Sequence, residues 1–181
     1  MLPDEQVIAQ TEKWIKDVVI GLNFCPFAAR EVNKGSVRYV VCNGTRLHDA
    51  LDAIQDECEH LDAHAETETT LVIFPRAFAS FTAYLDLVEM AEAMLLRNDY
   101  DGVYQLASFH PQYRFAEVQR DDPANFTNRS VFPMVHLLRE ASLTKALQHY
   151  PDPENIPERN IALARQKGLE AMKALRAACM L

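Results

Sequence analysis

The segment Thr69-Thr-Leu-Val-Ile-Phe74, followed by Pro75, decides how the chain is read. Its last four residues are apolar without polar alternation, the pattern of a strand covered on both faces. Pro75 cannot continue a ladder and stops it. A strand of that kind belongs to an α/β protein, so its flanks should be helices leading to parallel neighbours. Upstream, Leu47, Ala50, Leu51, Ile54, Cys58 and Leu61 make an apolar stripe at helical spacing, behind Thr45 as a candidate cap. Before that stripe, Val37 to Cys42 is rich in β-branched and aromatic residues and closes at Asn43-Gly44. Downstream, Ser80 precedes a second stripe of Phe81, Tyr84, Leu85, Val88, Ala91, Met94 and Leu95. Asp101-Gly102 then turns the chain into Val103 to Phe109, which Pro111 ends.

These elements read β-α-β-α-β. The expected fold class is α/β: a small, mainly parallel sheet of three or four strands, joined by right-handed crossovers and packed with helices. A ferredoxin-like α+β arrangement is the alternative. It requires one more strand, for which Tyr113 to Gln119 is the candidate.

Outward from this core, Val7, Ile8, Thr11, Trp14, Ile15, Val18, Val19 and Leu22 mark an N-terminal helix with Asp4 and Glu5 at its positive end. Gly21, Asn23 and Pro26 end it and put Cys25 at its exit. From Gln112 to Phe132 the chain is polar and aperiodic, but Tyr113, Phe115, Phe126 and Phe132 argue for an ordered loop. A helix from about Pro133 to Ala141, a second from Ser142 to Tyr150, a turn at Pro151, Pro153 and Pro157, and a last helix with a seam from Ile161 to Cys179 complete the expectation. The 181 residues suit one domain spanning 1–181.

Composition narrows function. The net charge of −8 and pI near 5.2 oppose a phosphate polymer or an anionic membrane surface. The start of the chain lacks a basic region followed by an apolar run, and no apolar stretch approaches the ~20 residues a membrane span needs. A cytoplasmic protein with reduced thiols is expected, and Cys25, Cys42, Cys58 and Cys179 include no CxxC pair. Five glycines, without GxGxxG or GxxxxGK[ST], argue against a nucleotide cofactor held in the common ways.

Parallel strands would share one C-terminal edge, where open α/β sheets bind ligands. Ser108 and His110 fall there. His110 could act as general base or ligand, or could tie down the following loop with a single hydrogen bond. Asn128 and Arg129, with Ser130 as a helix cap, offer a corner for a carboxylate or phosphate. The alternative is a plain turn with Arg129 solvated or paired with Asp121 or Asp122. His136 and Glu140, with Arg139 beside them, would share one helix face, orienting a catalytic imidazole or simply touching at the surface. Cys25 becomes a nucleophile only if the fold brings a base or cation near; otherwise it is an inert buried thiol. His60 and His64 near Cys58 have metal-like spacing, but one helix supplies too few ligands for structural zinc.

Gly21-Leu-Asn-Phe-Cys-Pro-Phe-Ala28, Ser108-Phe-His-Pro111, Asn125-x-Thr-Asn-Arg-Ser130 and Pro133-x-x-His-Leu-Leu-Arg-Glu140 together resemble the signatures of domain-of-unknown-function family 1415. The resemblance implies a bacterial, proteobacterial, cytosolic protein and supplies no activity. At Phe132-Pro133 the family more often has Tyr-Pro, which argues against a hydroxyl role at residue 132. It also implies that the Cys25, His110 and Asn128–Glu140 segments belong together.

The leading expectation is thus a small-molecule enzyme or binder for an anionic metabolite. Arg129, Asn128, Arg139, Glu140 and Ser108 would hold the ligand; His110 or His136 would act as acid/base, with Cys25 as nucleophile. A metal-dependent hydrolase using Cys25, His110, His136 and an acid is the second reading, with a bound divalent metal not favoured. A non-enzymatic interaction module is the third.

Overall fold

The computed structural model describes residues 2–180. Helix α1 (Asp4–Trp14) runs directly into a π-helical segment, Ile15–Ile20, whose wider turn is visible in bonds from the Gly21 N–H to the Lys16 carbonyl and from the Phe24 N–H to the Val19 carbonyl. A short helix α2 (Ala28–Lys34) leads to strand β1 (Val37–Val41). Then follow α3 (Leu47–Ala63), β2 (Thr69–Ile73), α4 (Phe81–Arg97) and β3 (Tyr104–Phe109), close to the expected spans.

The next element departs from expectation. Met134–Arg139 is a strand, β4, and not a helix from Pro133 to Ala141. It enters the sheet between β2 and β3, antiparallel to both, giving the order β1-β2-β4-β3. The sheet is therefore not mainly parallel: β1 and β2 form its one parallel pair among the described residues. The strands expected to run together do so, since β2 and β3 both oppose β4. What sequence reasoning missed is the strand inserted between them. Residues 113–119 form no strand, and helices cover both faces, so the ferredoxin-like alternative does not describe the sheet either.

The physical reason is burial on both sides. Val135 and Leu137 enter the core beneath α3 and α4, while Met134 enters the core beneath α1 and the C-terminal helices. A short apolar run covered on both faces has no alternation and cannot be told from a helix by periodicity. Tyr84 secures the junction from below: its hydroxyl donates to the Met134 carbonyl at 2.7 Å and accepts the Phe109 N–H at 2.9 Å.

Helix α5 (Glu140–Gln148) follows β4 without a loop. The expected last helix is two, α6 (Ile156–Lys167) and α7 (Leu169–Ala177), broken at Gly168, whose φ of 84° interrupts the helical run. Cores lie on both sides of the sheet. One joins α3 and α4 to Val72, Phe74 and Tyr104; the other joins Val7, Trp14, Ile15, Ala164 and Met172 to Leu71 and Ile73. Among the described residues no helix is long and apolar enough to cross a membrane.

Candidate functional site

A cavity of about 740 Å³ opens on the second of these faces. Its floor is the sheet: Val37 of β1, Thr69 and Leu71 of β2, His136 and Leu138 of β4, Ala107 and Phe109 of β3. Trp14, Ile15 and Val19 form one wall where α1 passes into the π-helical segment, a kind of helix defect that recurs at functional sites. Phe27, Ala28 and Val32 come from the α2 side, and Leu143, Ala146 and Tyr150 from α5 and its end. Phe27 and Tyr150 meet edge to face at 5.6 Å, joining those two walls. The volume lies within the range of small-molecule pockets, which combine apolar walls with a few placed polar groups.

The polar groups are few. His136 stands mid-strand in β4, paired in register with Leu71 and Ala107. Its Nε2 lies 2.5 Å from the Thr69 hydroxyl, and that hydroxyl donates to the Leu137 carbonyl. Its Nδ1 has no hydrogen-bond partner among the described residues. Burial alone pushes the imidazole down to about 4, so the ring is neutral at physiological pH. Among the described residues the buried Trp14 indole N–H has no hydrogen-bond partner, which is uncommon for a buried donor. Cys25 reaches the cavity too. Burial raises its thiol above the ordinary range despite the backbone N–H groups of Phe27 and Ala28 at the sulfur, so it is held as a neutral thiol.

Charge concentrates at the mouth. Arg30, Lys34, Arg139 and Lys145 line the cavity against two carboxylates, Glu31 and Glu68. Glu31 is shared at 3.6 Å by Arg30 and Lys34, while the Lys145 ammonium has no ion-pair partner among the described residues. A cationic excess in a chain of net charge −8 favours anions locally.

The sequence-derived residues divide into two groups. Cys25, His136 and Arg139 line the cavity; His110, Asn128, Arg129, Ser108 and Glu140 do not. His110 is fully buried, and both its nitrogens are engaged: Nε2–H donates to the Phe78 carbonyl at 2.8 Å and Nδ1 accepts the Gln112 N–H at 2.9 Å. Arg129 donates to the carbonyls of Tyr113 and Arg120 and stacks on Phe126 at 4.8 Å. Asn128 donates to the Ser108 carbonyl and accepts from Thr127. These residues fasten the 112–132 loop to the end of β3. Ser130 caps no helix, since a strand follows, and bonds to the Phe132 carbonyl at 2.5 Å. Asp122 pairs with Arg165 at 2.8 Å, not with Arg129.

Two expectations fall with the helix that is a strand. His136 and Glu140 do not share a helix face, and Glu140 begins α5 instead. Nor does the cavity lie at the C-terminal edge of β1, β2 and β3; it lies over the sheet face and reaches the first residues of β1 and β2. Arg139 touches it, but its guanidinium turns to the end of α3, donating to the carbonyls of Leu61, His64 and Thr67. Among the described residues no group of three His, Cys, Asp or Glu side chains is placed to hold a metal ion. The proposed hydrolase ligands are thus not together. Trp14, Thr69 and Lys145 were missed. Trp14 reads as core and Thr69 as a strand start, and Lys145 carries no signal of its own in the sequence; no pattern along the chain links them.

A helix-sheet-helix sandwich with an apolar, cation-rimmed cavity on one face is the class that fold and geometry define. The chain belongs to the family described as protein of unknown function (DUF1415), whose model matches residues 6–174. No curated protein and no solved structure matches it.

Proposed function

We propose that the cavity binds a small amphipathic anion, with the apolar body over the sheet and the charged end at the mouth between α2 and α5. The observation that carries this is a ≈ 740 Å³ apolar cavity rimmed by more cations than carboxylates on an otherwise acidic chain. Apolar burial supplies the larger part of affinity, at roughly 25 cal/mol per Å². The rim supplies sign selection. A neutral, partnerless imidazole nitrogen on the floor adds a directional contact.

The test compares decanoate, decanol and decylamine by titration calorimetry, following Trp14, the one tryptophan of the chain, by fluorescence. Decanoate is expected to bind and change the Trp14 emission, with the amine weaker by roughly fivefold or more and the alcohol between them. Equal binding of amine and carboxylate would remove the anion preference. No binding of any of them would remove the proposal.

A further inference from the structure

Accepting the cavity as a ligand site, we infer that its floor selects ligands whose buried end donates a hydrogen bond, through a His136 locked in one tautomer by Thr69.

The argument is proton counting. A threonine hydroxyl has one proton. Thr69 gives it to the Leu137 carbonyl, which can only accept. The hydroxyl oxygen, 2.5 Å from His136 Nε2, therefore meets that nitrogen with a lone pair, and Nε2 must carry the hydrogen. The ring is neutral and has no second proton, so Nδ1 is bare. Among the described residues no group donates to Nδ1, although His136 is only partly buried and lines the cavity. Its strand neighbours on that face, Leu71 and Ala107, offer no donor side chain. An acceptor fixed by backbone on an apolar floor discriminates by what it leaves unpaired. A hydroxyl, protonated carboxyl or amide N–H satisfies it, whereas an ether or ester oxygen sets lone pair against lone pair.

Together with the cationic mouth, this defines the ligand class: an anion whose far end bears a hydrogen-bond donor, such as an ω-hydroxyalkanoate. Without the lock, the imidazole could place its proton on either nitrogen and accept either kind of ligand. Thr69 is thus a positioning residue and His136 the selecting one.

The experiment titrates the full chain near neutral pH with ω-hydroxydecanoate, ω-methoxydecanoate and decanoate. In the wild type the hydroxy acid should bind roughly five- to tenfold tighter than its methyl ether, the span of one neutral hydrogen bond. Thr69→Val should bring the two within about twofold by freeing the tautomer, and His136→Phe should abolish the difference between them. Long-range proton–nitrogen NMR of the unliganded wild type reads the lock without any variant: the proton belongs on Nε2. A proton on Nδ1, or equal affinity for hydroxy acid and ether, overturns the inference and leaves anion binding intact. Failure of all three acids to bind overturns anion binding, and the selection with it.

Discussion

At the scale of single residues, the chemistry-bearing side chains sort by whether their polar atoms are already spent. His110 and Arg129 are spent on backbone, while His136 keeps one nitrogen open. His136 also makes a pH signature. Its folded value of about 4 lies below the ordinary 6.5, so between those two values the unfolded chain binds the extra proton. Its contribution is complete above about 6.5, declines as pH falls and levels off below 4. Near pH 5 the loss should be on the order of 2 kcal/mol. Urea denaturation of wild type and His136→Phe at about pH 8 and pH 5 measures it: the variant should lack this part of the slope, and parallel pH profiles would contradict the assignment. Along the sequence both histidines had an active and an idle reading, and composition could not choose. The choice lies in which carbonyl stands opposite each ring, and the Phe78 carbonyl that engages His110 is 32 residues away.

At the scale of elements, strand β4 does two jobs. Its body fills the sheet, and its last residue, Arg139, crosses to the carbonyls of Leu61 and His64 at the end of α3, where a helix leaves such groups unpaired. Charge-assisted bonds of this kind are worth roughly 1.5–3 kcal/mol. Arg139→Met should lower stability by roughly 2–3 kcal/mol in a urea transition, and Lys should recover less than half, because a point charge cannot reproduce the fork. Loss of decanoate binding with unchanged stability would instead place the guanidinium in ligand recognition. The elements around β2 were legible because each has a distinct period and a turn signal. Strand β4 was not, because both of its faces are covered. The break at Gly168 was legible in principle, but the apolar seam runs straight past it and hides it.

At the scale of the molecule, two cores share one sheet, and the cavity opens on one of them. The face away from α3 and α4 leaves its floor open beneath the π-helical segment, α2 and α5. Ligand binding to the folded state alone should stabilise the whole chain by mass action, about 2.7 kcal/mol at a concentration one hundred times Kd. A rise in Tm with decanoate concentration would report it, and a Tm that stays flat up to saturation would contradict binding to the native cavity. The sequence foretold most of the sandwich's helices, though not α2, and three of its strands. It could not foretell the opening, because a void is made by what distant segments fail to fill.

The order of the sheet has a temporal corollary. Among the described residues strand β4 is the last strand in chain order and lies in the interior of the sheet, so β2 and β3 have no common edge until residue 139 has been added. A nascent chain stalled near residue 130 would hold two sheet fragments with an unfilled slot between them, each presenting bare backbone groups. Cooperative collapse of the sheet must therefore wait until residue 139 has been made, and a ribosome-bound intermediate stalled before it should be a natural client of chaperones.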